Sequence, residues 1–284
     1  MARVKSVTPV GEAPVYDIEV PYTHNFVANG MVVHNCHRVA ADQFSSVCFN
    51  VPAKLRLGLS ATPERQDGKE FVLHAHIGPI RVKTKVLAML PKVLVYTSDW
   101  ECPRVIRKMS NGSKKVVPLP HTPGKVGHVI KMLTKHQKRQ QLLCELVYTA
   151  WTRNRKTIFF SDSLDHLDQT QSALYAMGIP QKDMGFYKGG MKKADLDKSK
   201  GKPIVLATYG FAREGTDIPW LDCMVMGTPK SEIEQIVGRV LREYPNKPQP
   251  VVFDVQDLDS SVFAGYAQKR IAFYQRIGAD IRHM

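Results

Sequence analysis

No Cys-x-x-Cys pair occurs in this chain, and its five cysteines (Cys36, Cys48, Cys102, Cys144 and Cys223) are odd in number and widely separated. That pattern argues against a disulfide framework or a zinc site and fits a reducing compartment. No apolar run approaches the roughly eighteen residues of a membrane span. Met1-Ala-Arg-Val-Lys5 also lacks the apolar core of a secretory signal, so the sequence reads as cytosolic, with no membrane partner. A phosphate-cradling G-x-x-x-x-G-K-[ST] loop is missing: Gly68-Lys69, Gly124-Lys125 and Gly201-Lys202 all lack the Ser or Thr that should follow. There is no internal repeat. Acidic residues are scarce, 26 against 40 lysines and arginines, for a formal charge of +14. The excess is uneven. Residues 1–35 carry only Arg3 and Lys5 against Glu12, Asp17 and Glu19, so the positive surplus lies wholly beyond them. A polyanion, nucleic acid first, is the partner such a surplus suits.

What is present divides at residue 35. Upstream, Val15–Val20 is β-branched and roughly alternating, Asn29-Gly30 is a strong hairpin turn, and Met31–Val33 is a second short strand. A segment this small cannot bury a core alone and needs a partner surface. Downstream, strands and helices alternate. Strands are expected at 55–59, 93–97, 157–160, 204–207, 223–226 and 251–253, and helices at 128–151, 164–177 and 232–241. Residues 98–127, rich in Pro, Gly, Lys and Ser, read as a loop and linker, and the lysine-rich 192–202 as a solvated loop. Alternating units of this length imply a parallel sheet covered by helices on both faces. Trp100, Trp151 and Trp220 read as core or interface residues.

At the division stands His34-Asn35-Cys36. An asparagine side-chain nitrogen can attack its own carbonyl carbon, closing a five-membered succinimide and cutting the 35–36 bond. Because the attack is intramolecular, held geometry replaces much of the entropic barrier. His34 and His24 can supply the proton and oxyanion support that the step needs. The Cys36 thiol, once deprotonated, is an acyl acceptor. With the V-Y-D-I-x-V strand and the H-N-F-x-x-N-G block ahead of it, residues 1–35 resemble the C-terminal end of an intein. The resemblance implies that His24 is the assisting block histidine, His34 the penultimate histidine, Asn35 the cyclising residue and Cys36 the first extein nucleophile. Thr23 stands where many inteins place an acidic residue or cysteine. An N-terminal nucleophile and a T-x-x-H block are absent, and Met1 precedes the junction by the usual length of a C-terminal split fragment. The chain is therefore similar to one half of a trans-splicing pair that needs no cofactor for splicing. A degenerate remnant and a fragment of a contiguous intein-containing gene are the alternatives.

Residues 36–284 resemble the later half of a superfamily-two DNA helicase of the repair and phage type. Cys36-His37 would complete a D-E-C-H box whose Asp and Glu lie in a separate N-terminal half. Ser60-Ala61-Thr62 matches motif III, which couples nucleotide state to lobe movement. Thr208 and Glu214-Gly215-Thr216-Asp217-Ile218-Pro219 match motif V, with Gly215 permitting a tight backbone, Asp217 organising the nucleotide site and Thr208 touching a DNA phosphate. Gln235-Ile-Val-Gly238-Arg239-Val-Leu-Arg242 matches motif VI. Its arginines stand three apart, on one helix face, where two guanidinium forks can clamp a γ-phosphate, and Gly238 would permit close approach. The resemblance implies a short all-β Hint-type fragment (1–35), the rest of a first RecA-like domain with linker (36–125) and a second RecA-like domain (126–284). ATP and Mg²⁺ would be used only after splicing, the metal ligands coming from the partner chain.

Overall fold

The computed structural model describes residues 25–28, 31–35, 55–59, 69–81, 89–109, 112–119, 126–210 and 218–284. The expected strand at 15–20 lies outside them. The chain forms two compact units, residues 1–85 and 86–284.

In the first unit β1 (Asn25–Ala28) and β2 (Met31–Asn35) form an antiparallel hairpin, with Ala28 level with Met31 across Asn29-Gly30, as that dipeptide predicts. β3 (Leu55–Leu59) pairs with β2 in parallel, His34 level with Gly58 and Asn35 with Leu59. Helix α1 (Glu70–Ile77) follows and ends at Gly78, whose φ of +107° suits glycine.

The second unit is built on a seven-stranded parallel sheet of order β12-β4-β11-β10-β7-β9-β8. The strands are β4 (Lys92–Thr97), β7 (Thr157–Ser161), β8 (Met184–Tyr187), β9 (Ile204–Thr208), β10 (Cys223–Met226), β11 (Val251–Gln256) and β12 (Asp280–His283). Alternation along the central strands feeds two cores. Ile158, Phe160, Val205, Ala207, Met224 and Met226 point to one face and pack with Ile236, Val237, Phe273 and Tyr274. Phe159, Ile204, Leu206, Cys223 and Val225 point to the other and pack with Leu143, Val147, Leu167 and Leu174. The covering helices are α3 (Gln137–Thr152) and α4 (Leu164–Ala176) on the second face, with α6 (Glu234–Val240) and α7 (Ser261–Ile277) on the first. A strand buried on both faces reads as a continuous apolar run, which is why Ile158-Phe159-Phe160 was legible.

Several expectations need correcting. The strand at 92–97 does not belong with residues 36–125 in a first domain, because β4 is hydrogen-bonded between β11 and β12 in the sheet of the second unit. The expected loop at 98–127 contains an antiparallel hairpin, β5 (Arg104–Lys108) and β6 (Lys114–Pro118), closed where Gly112 takes a φ of +81°. The helix expected at 128–151 is two, α2 (Val126–Leu133) and α3. The break falls at His136, whose extended backbone and ring cap the second helix by accepting the Arg139 N–H at 3.3 Å. The lysine-rich 192–202 forms helix α5 (Lys193–Lys200), seated so close to β8 that a Cβ on Gly185 would lie 2.9 Å from Ser199. β8, α7 and β12 were not foreseen.

Two buried polar assemblies lock α3 to the sheet. Arg139 forks onto Asp257 at 2.7 and 3.0 Å and donates to the Gly227 carbonyl at 2.7 Å, both side chains being essentially solvent-free. Beside it, His166 lies between Ser161 (3.0 Å) and the Gln140 side-chain oxygen (2.6 Å), which fits a neutral ring. Burial, helped by the Arg139 charge, pulls its pKa down to about 3. Replacing Asp257 by Ala leaves a buried guanidinium uncompensated and should cost about 3–5 kcal/mol, readable as a lowered urea midpoint. The unfolded imidazole titrates near 6.5, so between 6.5 and 3 the unfolded chain takes up a proton that the folded ring refuses. Stability from this group is therefore complete above pH 6.5 and lost as pH falls. Urea midpoints at pH 7.5 and 5.5 should differ in the native chain and differ less in His166→Gln.

Candidate functional site

In a parallel sheet the loops after the strands converge on one edge, where ligands of α/β folds bind. At that edge Ser161 and Thr208 are cross-strand partners at the ends of β7 and β9, and Thr208 is half-buried. The next residue, Tyr209, is buried, stacked on Phe160 at 5.2 Å, and donates to the Thr228 carbonyl at 2.8 Å. Thr228 in turn accepts the Asp162 N–H at 3.0 Å, and the Asp162 carboxylate meets Lys230 at 3.0 Å. The loops after β7, β9 and β10 are thus stitched together. Gly227 permits this closeness: a Cβ there would stand 2.3 Å from the Phe159 ring.

Lys230 leads into α6. Ile236, Val237 and Val240 of that helix are buried in the same core as Tyr209, so the helix sits on the sheet face beside the Thr208 edge. Gln235 and Arg239 are half-buried on α6. Arg242 is exposed and lies beyond the helix, which ends at Val240, so the two arginines do not share one helix face as expected. A turn connects them, with the Arg242 N–H directed to the Arg239 carbonyl at 3.4 Å. Among the described residues nothing lies within 4 Å of a Cβ built on Gly238, so the close approach expected there is not seen.

The turn after α6 is held by a residue that sequence reading passed over. The Lys247 ammonium donates to three carbonyls, Pro219 at 2.9 Å, Val240 at 2.7 Å and Arg242 at 2.8 Å. It therefore ties the end of the arginine helix to the segment that follows 211–217. Burial, with Arg242 nearby and Asp222 opposing, brings its pKa down to about 8. No local pattern announces such a residue, since Pro245-Asn-Lys-Pro248 reads as an ordinary loop.

Of the other expected residues, His34 and Asn35 are the last two of β2. His24, Cys36, Ser60, Ala61, Thr62, Gly215 and Asp217 lie outside the described residues. Trp100 is core, while Trp151 and Trp220 are half-buried and donate to Asp183 and to the Lys200 carbonyl. Among the described residues no group of His, Cys, Asp or Glu is gathered so as to hold a metal ion, and no helix is long and apolar enough to cross a membrane.

The chain is similar to known proteins. The chain is 28% identical over 298 residues to a protein of Acanthamoeba polyphaga mimivirus that carries the provisional name of ATP-dependent RNA helicase, covering 96% of this chain and 56% of that one. A protein of African swine fever virus with the same provisional name is 24% identical over 265 residues, covering 88% and 51%. A protein of Escherichia phage T5, provisionally named a helicase, is 24% identical over 255 residues, covering 87% and 53%. In fold the chain is similar to Dbp5 of Saccharomyces cerevisiae, solved with RNA and ADP–BeF3, with a TM-score of 0.51 and 12% identity over 88% of this chain and 56% of that one. The second unit has a RecA-like α/β fold built on a parallel seven-stranded sheet, and the chain is similar in sequence to proteins provisionally named as helicases. No family model matches the chain. The chain spans about half the length of the curated relatives it matches.

Lys247 is the site's clearest mechanical element. Lys247→Met keeps the stem and removes the donor, so three carbonyls of this helicase-like domain lose a charged partner. A loss on the order of 2 kcal/mol in stability is expected, with faster amide exchange at residues 241–244 and no change in the sheet.

Proposed function

We propose that residues 36–284 are the C-terminal half of an ATP-dependent helicase acting on DNA, and that residues 1–35 are a C-terminal split-intein fragment. Trans-splicing would excise that fragment and join Cys36 to a separate N-terminal half carrying the phosphate loop and the acidic metal ligands. The motor reading is carried by one observation: Arg239 on a helix packed beside the carboxyl edge of a RecA-like sheet, with Arg242 on the turn that Lys247 holds. Two guanidiniums so placed can reach the γ-phosphate of a nucleotide bound across the edge and stabilise the charge that develops on it. Gln235 would orient the attacking water. Gly215 and Asp217 would shape the nucleotide site, Thr208 would meet a backbone phosphate, and Ser60-Ala61-Thr62 would couple nucleotide state to movement. Two of the relatives carry names that specify RNA. DNA is preferred for this chain because motifs III, V and VI resemble those of repair-type helicases.

For splicing, the N-terminal half reaches the Cys36 sulfur as a thioester. The Asn35 side-chain nitrogen attacks its own carbonyl carbon, and the 35–36 C–N bond breaks as the succinimide forms. His34 protonates the departing Cys36 amine, assisted by His24. That amine then attacks the thioester, so the acyl group passes from sulfur to nitrogen and an ordinary peptide bond results. A second reading has support of its own: β2 pairs in parallel with β3, and the mimivirus match, at 96% of the chain, must run into residues 1–35. There the hairpin would be a permanent strand of a nucleic-acid-binding module that does not splice.

Mixing the chain with a tagged N-terminal half separates the two. Splicing gives a ligated product that Asn35→Ala abolishes, whereas absence of product in the unaltered chain supports the second reading. The chain alone should hydrolyse ATP negligibly with or without DNA. In the ligated protein Arg239→Ala should lower kcat by about 10³ or more.

A further inference from the structure

The β5–β6 hairpin has an unusual surface for a segment with no core of its own. Ile106 and Val116 are direct cross-strand partners, hence on one face, and are 71% and 63% exposed. One step nearer the turn on that face stand Lys108 and Lys114, again directly opposite each other, and both exposed. Arg107 is level with Lys115. Like charges in register destabilise a hairpin, and residues 102–119 contain no Asp or Glu to offset them. The sequence thus keeps an arrangement that weakens the isolated hairpin and that a polyanion would relieve.

The root, in contrast, is rigid. Asp259 accepts the Cys102 N–H at 2.8 Å and the Arg104 guanidinium at 2.6 Å, and the Leu119 N–H donates to the Pro103 carbonyl at 2.7 Å. Trp100 and Cys102 are buried with Val129, Leu133 and Phe263 directly below. A stiff base carrying an apolar, lysine-rimmed blade is a contact device rather than a spacer.

We infer that this hairpin is a binding site for single-stranded nucleic acid, with Lys108 and Lys114 on the phosphate backbone and Ile106 and Val116 against the faces of unstacked bases. It rests on the nucleic-acid reading above. A duplex presents phosphates outside and hides its base faces, so it would use the lysines and leave the aliphatic pair idle. A single strand uses both.

The test uses the full chain and fluorescence anisotropy with a dT20 oligonucleotide, a U20 RNA, a 20-base-pair duplex and polyglutamate. Lys108→Glu/Lys114→Glu should weaken single-strand binding by about tenfold or more and flatten the slope of log K against log salt by about 1.4. Lys108→Arg/Lys114→Arg should restore both. Ile106→Ser/Val116→Ser should weaken single-strand binding severalfold with the slope unchanged, and circular dichroism should match the unaltered chain throughout. Unaltered binding by the Glu pair, or equal loss on duplex and single strand in the Ser pair, overturns the site while leaving the nucleic-acid reading intact. Tighter binding of polyglutamate than of dT20 also overturns the site. Failure of the unaltered chain to bind any nucleic acid overturns both.

Discussion

The buried fork between Arg139 and Asp257 is the contact on which the second unit depends. It joins α3 to the end of β11, reaches the β10 loop through the Gly227 carbonyl, and touches β4 because Ser98 donates to the same carboxylate at 2.5 Å. A charge pair removed from water tolerates little displacement, since neither partner can fall back on solvent. The carboxyl ends of β4, β10 and β11 are therefore held in one register beside α3. A second fork, Arg270 on Asp254, repeats the device from α7 and ends on the Lys230 carbonyl, just ahead of α6. The edge that presents Thr208 and the arginine helix is set by these two charge pairs, with apolar packing beneath them.

Under the proposed function, that rigidity would have a chemical use. Arginines stabilise developing charge only when they are pre-placed and need not reorganise. Arg239 gains this from a helix buried along Ile236, Val237 and Val240, and Arg242, past the helix end, from the carbonyls that Lys247 gathers. The β5–β6 hairpin is built on the opposite plan, with a fixed root and an open blade whose charges face one another. On the proposed reading, one domain would hold a preorganised edge for a nucleotide and an exposed, lysine-bearing surface for a strand.

Much of this was legible in the residues because its physics is local. Thr157–Phe160, Ile204–Ala207 and Cys223–Met226 are short apolar runs between turn residues, and all three became central strands. The expected motif VI falls on a helix, but not with the expected geometry. A spacing of three implies one helix face only if the helix continues, and α6 stops two residues too soon. The hairpin at 104–118 was hidden by its proline, glycine and lysines, although Asn111-Gly112 between two valine-containing runs was the available signal. Lysine spacing likewise concealed α5, whose single apolar anchor, Leu196, has meaning only once β8 lies beneath it.

By itself the sequence determined the class of architecture and the one place where an asparagine precedes a cysteine at the end of a strand. Each follows from properties that a residue carries along the chain: side-chain periodicity, backbone freedom, and reactivity toward its own neighbour. Only the tertiary structure decided that β4 belongs to the second sheet, that Arg139 and Asp257 meet 118 positions apart, and that Lys247 closes the turn bearing Arg242. Those depend on which groups lose water together. Desolvation is a property of the packed whole, and no window of sequence contains it.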